Sequence, residues 1–142
     1  MAKWLAQIAH ESGRLVHVRE LWGPTPAQRR YEGRVDLGNV RPGDGYRYRG
    51  HGLIQVTGRA NHAAATVGIR SRVPGAPDFE AQPEALEIPR WAAHSAGWFW
   101  QSRGLNQVES FERITRRING GLNGYDDRLK LWDGAKRALG VA

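Results

Sequence analysis

Apolar residues recur at helical spacing in several segments of the chain, and this periodicity is the feature that most constrains the fold. In residues 3–12, Trp4 and Ile8 lie at positions i and i+4 of one stripe, and Gly13 then supplies a helix stop. Further segments with helical spacing cover residues 60–67, 90–103, 108–118 and 125–136. The pattern predicts a mainly α-helical chain with little β-structure.

The remaining segments are rich in turn-forming residues. Residues 14–49 contain several glycines and prolines without clear periodicity, and a loop of this length in a compact domain usually carries function. Residues 53–56 form a short apolar run that suits a buried strand or an extended segment, and Thr57 is well placed to cap the following helix. Since no repeat or linker divides the chain, we expect a single domain over residues 1–142.

The composition excludes several classes of protein. The chain has no cysteine, which rules out disulfides and thiolate zinc sites. Its net charge of +7 attracts polyanions, whether nucleic acid, anionic lipid or a bacterial cell wall. We find no signal peptide and no apolar stretch approaching the ~20 residues of a membrane span, so membrane insertion is not expected.

Glu11 is the first candidate for chemistry. It continues the apolar stripe of Trp4 and Ile8, where burial disfavours the ionised carboxylate. A carboxylic acid that keeps its proton near neutral pH can protonate the leaving oxygen of a glycosidic bond. The alternative is an ordinary acid at a frayed helix end, half in solvent.

Glycosidases use two carboxyl groups, and in the inverting class these stand roughly 6.5–9.5 Å apart to admit a water molecule. Spacing along the chain does not select the partner of Glu11. The candidates near it in sequence are Glu20, Glu32, Asp36 and Asp44.

Other catalytic chemistries find little support. His10 and Glu11 begin a zinc-protease pattern, but position 14 is Arg14 rather than a second histidine. The five histidines show no paired ligand spacing, so we expect no metal and no cofactor.

Three segments, in order, carry a family resemblance: residues 6–13 (AQIAHESG), 48–61 (YRGHGLIQVTGRAN) and 117–124 (RINGGLNG). Together they resemble glycoside hydrolase family 19, which holds the plant class I and II chitinases, and especially its phage endolysin branch. The resemblance implies a lysozyme-like, two-lobed helical fold with a substrate cleft and no separate wall-binding domain.

The resemblance also assigns roles to residues. It makes Glu11 the general acid and, on the short gap of the endolysin branch, Glu20 the general base; the longer gap of the plant chitinases would instead select Glu32. Thr57 would help to hold the attacking water. The substrate-binding residues implied are Gln55, Asn61, Asn119 and Arg128. One departure is His51, which stands where the family commonly has arginine.

The implied function is hydrolysis of the β-1,4 MurNAc–GlcNAc bond of peptidoglycan with inversion, by an endolysin-type lysozyme. The positive charge favours this anionic substrate. The first alternative is a chitinase, and the second is a non-catalytic basic domain that binds glycan or nucleic acid. We expect a monomer without a nucleic-acid partner, made in the bacterial cytoplasm and acting on the wall after release.

Overall fold

A computed structural model describes residues 1–141 and is built almost entirely from helices. β-Structure in this range is limited to two isolated bridges, Arg19 to His51 and His51 to Val56. The prediction of a mainly helical fold is therefore confirmed. The α-helices are α1 (Ala2–Glu11), α2 (Pro26–Arg29), α3 (Asp44–Arg47), α4 (Arg59–Arg70), α5 (Pro89–Ser102), α6 (Phe111–Asn119) and α7 (Tyr125–Leu139), with 3₁₀ turns at Val35–Leu37, Pro83–Glu87 and Leu105–Gln107.

Local chemistry explains where the predicted helices begin and end. α5 begins at Pro89, whose missing N–H is not needed in the first helical turn. The Ser110 hydroxyl accepts a hydrogen bond from the Arg113 backbone at 3.2 Å and so caps α6. α6 then ends at Gly120, whose φ of +78° lies in the left-handed region that favours glycine.

The segment before α4 differs from two expectations. Residues 53–56 form turns rather than a strand, and only Val56 takes part in a bridge. The expected Thr57 cap is wrong, because α4 begins at Arg59 and its N-cap is Gly58, which offers no side chain. The Thr57 hydroxyl instead donates to the Gln55 carbonyl at 3.0 Å, within the turn.

Two apolar clusters form the core. The larger joins α4, α5 and the loop between them, and the smaller contains Trp100, Leu105 and Ile114. Trp4, Phe99 and Ile118 pack against both. Helix α1 packs along α7, so the last residue of α1 is held beside the segment that connects α6 to α7.

No helix among residues 1–141 is long and apolar enough to cross a membrane.

Candidate active site

Glu11, at the end of α1, lies in a cleft of about 290 Å³. The cleft gathers side chains from four helices and from the turn before α4. Five of the seven residues that the sequence analysis assigned to the site line it: Glu11, Gln55, Thr57, Asn61 and Asn119. The other lining residues are Leu37, Ile54, Val56, Trp98, Phe99, Arg103 and Ile118.

Arg128 does not line the cleft but lies directly behind Glu11. Its guanidinium donates to Glu11 Oε1 at 2.5 Å, and the Arg128 side chain is 1% exposed against 21% for Glu11. Among residues 1–141, no hydrogen bond is made to Glu11 Oε2. Glu11 thus lies next to a buried cation, whereas the sequence analysis expected only apolar surroundings for it.

A chain of hydrogen bonds fixes the Arg128 guanidinium. Arg128 also donates to Gln7 Oε1 and, at 3.2 Å, to the Asn123 carbonyl. The Gln7 amide in turn donates to the Thr115 hydroxyl at 2.8 Å. Helices α1, α6 and α7 therefore each contribute a buried group that determines where the carboxyl of Glu11 points.

The turn before α4 presents its polar side chains in an ordered array. The Asn61 amide donates to the Thr57 carbonyl at 2.7 Å, Thr57 donates to the Gln55 carbonyl, and the Gln55 amide donates to the Gly52 carbonyl at 3.0 Å. Gln55 has a φ of +56°, which is uncommon for a residue other than glycine and is typical of functional sites. Each side chain is thereby held with its remaining polar atoms available to a ligand.

Asn119 completes this polar set from the end of α6. Its amide oxygen accepts from the Gly121 backbone at 2.9 Å, and its NH₂ donates weakly to the Asn123 carbonyl at 3.3 Å. The residue therefore shapes the turn between α6 and α7 while it also lines the cleft.

Glu20 lies outside the lining of this cleft and is connected to it through Gly50. Its Oε2 accepts from the Gly50 backbone at 2.9 Å, and its own N–H donates to the Gly50 carbonyl at 2.8 Å. The Gln55 side chain packs so closely on Gly50 that an added Cβ would meet Gln55 Oε1 at 2.6 Å. Gly50 thus separates Glu20 from the cleft residue Gln55.

The other acids considered as partners of Glu11 have structural contacts. Both Glu32 oxygens accept backbone N–H groups, from Gly43 at 2.6 Å and from Gly45 at 2.8 Å. Hydrogen bonds from Arg34 hold the pKa of Asp36 below its usual range, and those from Arg59 do the same for the pKa of Asp44. Glu20 accepts from neutral groups, namely Gln28 at 3.0 Å and Tyr31 at 3.3 Å besides Gly50.

The proximity of Glu20 affects Tyr31. Burial, the Glu20 charge and the hydrogen bond to Glu20 together raise the pKa of the Tyr31 hydroxyl, so it remains a donor.

Two buried histidines contact each other near the cleft, His51 just before the turn that precedes α4 and His62 within α4. His51 Nδ1 is 3.1 Å from His62 Nε2, and His62 Nδ1 is 2.8 Å from the Gly58 carbonyl. Burial lowers the pKa of His51 to about 3, with the neighbouring His62 contributing, and burial lowers the pKa of His62 to about 4. Both rings are therefore neutral at pH 7. Glu87 Oε1 lies 3.6 Å from His51 Nε2, and within residues 1–141 it has no hydrogen-bond partner.

Sequence reasoning missed several residues of the site. Gln7 precedes Glu11 by one helical turn, and a polar residue on that otherwise apolar face was the available signal. Trp98 and Phe99 lie in the helical segment predicted over residues 90–103, but periodicity does not say that these two side chains border a cleft. Arg103, whose guanidinium stacks 3.6 Å from the Phe99 ring, gave no signal.

Comparison with known proteins gives a consistent result. No family model matches the chain. A Haemophilus influenzae protein described as a glycosyl hydrolase family 19 domain-containing protein is 34% identical over an alignment that covers 92% of this chain and 76% of that protein. An endochitinase of Arabidopsis thaliana is 33% identical, with 85% of this chain covered but only 39% of the endochitinase.

Among solved structures, chitinase C from Streptomyces griseus superposes with a TM-score of 0.74 at 22% identity, covering 99% of this chain and 72% of that one. This likeness confirms the predicted lysozyme-like helical fold. The extent of the match to the Haemophilus protein establishes the family, and with it the class of enzyme. The chain belongs to glycosyl hydrolase family 19 and is a glycoside hydrolase.

Proposed function

We propose that this enzyme hydrolyses β-1,4 bonds of an N-acetylated glycan by inversion, with Glu11 as general acid and Glu20 as general base. The observation that carries the proposal is the convergence of Glu11 with the amide side chains of Gln55, Asn61 and Asn119 in one cleft. Amides both donate and accept hydrogen bonds, which suits the acetamido and hydroxyl groups of such sugars. Trp98 and Phe99 add aromatic surface on which a sugar ring can pack.

The acid role of Glu11 is supported by the way its carboxyl is held. Arg128 engages Oε1 only, so Oε2 is available to transfer a proton to the glycosidic oxygen. Because the guanidinium is itself fixed by Gln7 and by the Asn123 carbonyl, the carboxyl has one defined orientation. General acid catalysis depends on such positioning.

The base role of Glu20 is supported by the lowered pKa values of two other candidates and by its link to the cleft. Asp36 and Asp44 have lowered pKa values and are weaker bases. Both oxygens of Glu32 and both oxygens of Glu20 accept hydrogen bonds, but Glu20 is linked through Gly50 to the cleft residue Gln55. Glu20 accepts hydrogen bonds from neutral donors, and among residues 1–141 no guanidinium pairs with its carboxyl group.

Thr57 is proposed to position the attacking water. Since its hydroxyl proton is donated to the Gln55 carbonyl, the lone pairs of Thr57 Oγ1 can accept one hydrogen of that water. The other hydrogen passes to Glu20 as the water oxygen attacks the anomeric carbon, while the bond to the leaving oxygen breaks and Glu11 protonates it.

For the substrate we propose the glycan backbone of bacterial peptidoglycan, cut by an endolysin-type lysozyme. The net charge of +7 supports this choice, because peptidoglycan carries anionic peptides and polymers whereas chitin is neutral. Chitin is the second candidate, and the Arabidopsis endochitinase and the Streptomyces chitinase favour it.

The test compares products from purified peptidoglycan and from chitin oligomers by mass spectrometry and NMR. We expect cleavage of peptidoglycan, new reducing-end MurNAc, and an initial product of inverted anomeric configuration. Faster cleavage of chitin oligomers, with reducing-end GlcNAc, would show that the enzyme is a chitinase rather than a lysozyme. A retained configuration would contradict the roles of Glu11 and Glu20 as acid and base.

A Glu11→Gln variant tests the acid directly. We expect activity to fall by about 10²–10⁴-fold, the usual contribution of a positioned acid. Glu109→Gln is the control, since Glu109 is exposed and lies outside the cleft. Wild-type clearing of the substrate by the Glu11→Gln protein would refute the assignment.

A further inference from the structure

A second cavity, of about 670 Å³, lies between the end of α4 and the outer face of α5. It is larger than the cleft around Glu11, and the two share one lining residue, Trp98. The Trp98 ring lies directly on Gly68 of α4, where an added Cβ would come within 2.2 Å of it. The Trp98 indole therefore lies at the boundary between the catalytic cleft and the second cavity.

The lining of this cavity is mainly apolar, and its charged groups are cations. Arg72, Arg90 and His94 contribute to it together with Gln101, and its lining contains no acidic residue. Within residues 1–141, the guanidinium groups of Arg72 and Arg90 form no ion pair and no hydrogen bond. Arg90 is held 4.6 Å above the Trp91 ring, so at least one of the two cations is oriented without an anionic partner.

This arrangement differs from that of several other arginines. Arg14, Arg59 and Arg128 each donate to a carboxylate at 2.5–2.6 Å. Arg72 and Arg90 are exposed beside one cavity whose lining contains no acidic residue, so their guanidinium groups can pair with an external carboxylate.

We infer that this cavity binds the carboxylates of the peptide branch that peptidoglycan carries on its glycan backbone. A branch attached to a sugar in the catalytic cleft would cross Trp98, the residue that lines both cavities, and each of its extended residues spans about 3.3–3.6 Å. Arg72 and Arg90 then pair with its carboxylates, and Gln101 donates to its backbone. The inference rests on the proposed function. It narrows the substrate to peptidoglycan, because chitin has no peptide branch.

The test uses glycan strands with their peptides and the same strands stripped by an amidase. The double variant Arg72→Gln/Arg90→Gln is compared with Arg113→Gln/Arg137→Gln, which removes the same charge from two exposed arginines outside both cavities. We expect the first variant to lose about tenfold or more in kcat/KM on peptide-bearing strands, the loss expected for a charge-assisted contact, and nothing on stripped strands. For the second variant we expect the same change in kcat/KM on peptide-bearing strands as on stripped strands.

A binding measurement separates this inference from the proposed function. The Glu11→Gln protein is titrated with a peptide-bearing disaccharide, with and without the Arg72→Gln/Arg90→Gln pair. We expect the pair to weaken binding about tenfold or more, even if the wild-type enzyme cleaves neither substrate. Equal binding by the two proteins, or an equal loss of activity on both kinds of strand, would overturn the inference.

Discussion

The carboxyl of Glu11 takes its orientation from a side chain that never enters the cleft. Arg128 is buried behind it and bridges Glu11 Oε1 to Gln7 Oε1, two acceptors one turn apart on α1. A guanidinium suits this task because its donors lie in one rigid plane. The acid is therefore positioned by an arginine whose three guanidinium nitrogens all donate to acceptors of the protein.

Replacing Arg128 by Met should affect both activity and stability. The variant keeps most of the side-chain volume but leaves Gln7 Oε1 buried without a donor, which costs about 1–3 kcal/mol. Activity should fall at least about tenfold, because Glu11 loses its fixed orientation. Urea denaturation and a product assay measure the two effects.

Arg137→Met is the control on the same helix, since Arg137 is exposed and near the end of α7. This substitution should leave the activity and the free energy of unfolding nearly unchanged. An Arg128→Met protein that matched this control would show that the orientation of Glu11 does not depend on Arg128.

At the scale of elements, the pairing of α1 with α7 holds the site together. Asp127 at the start of α7 accepts from Arg14 at 2.5 Å and lies 2.7 Å from the His10 ring nitrogen. The His10 ring packs onto Gly124, the residue that precedes α7. These contacts place the start of α7, and with it Arg128, against the end of α1.

Gly124→Ala should destabilise this pairing. Gly124 has a φ of +68°, and an added Cβ would meet His10 Cε1 at 2.2 Å, so we expect a loss of about 2 kcal/mol or more in the free energy of unfolding. Gly134→Ala provides the control inside α7, where a Cβ meets nothing within 4 Å and helix propensity predicts a gain of up to about 1 kcal/mol. Equal effects of the two substitutions in denaturation experiments would contradict this account.

The elements also show what a single sequence can and cannot predict. Helices α1, α5, α6 and α7 were predictable because each has its own apolar stripe and local start or stop signals such as Pro89 and Gly120. The segment between α1 and α4 was not, since its shape depends on contacts between distant residues, for example the Glu32 carboxylate and the backbone of Gly43 and Gly45.

The residues of the candidate site were likewise only partly predictable from the sequence. The family resemblance selected the residues that line the cleft together with Glu11. It could not select Gln7 or Arg103, whose roles depend on how helices pack. The position of Glu20 relative to the cleft likewise depends on the pairing of its backbone with Gly50.

For the whole molecule, the buried histidines predict a stability that depends on pH. His51 and His62 are 2% and 0% exposed, and their pKa values of about 3 and about 4 lie below the 6.5 of a free histidine. The unfolded chain therefore binds more protons than the folded one below pH 6.5, so stability falls as the pH falls through that value. Each histidine should cost about 2 kcal/mol between pH 7 and pH 5.

Urea denaturation at the two pH values measures this difference. Asp44 does not contribute in this window, because its lowered pKa makes its stabilisation disappear only below about pH 4. A His51→Gln variant removes one of the two titrating groups and should reduce the difference by about half. A free energy of unfolding that is the same at pH 7 and pH 5 would contradict the assignment of neutral rings.

The contact between Glu11 and Arg128 joins residues 117 positions apart, close to the two ends of the chain. A ribosome that has made the cleft-lining residues up to Asn119 has therefore not yet supplied the guanidinium that orients the acid. A nascent chain, or a product of a premature stop codon before Arg128, carries the polar residues of the cleft without an oriented acid. The orientation of the acid is thus completed only when synthesis has passed this arginine.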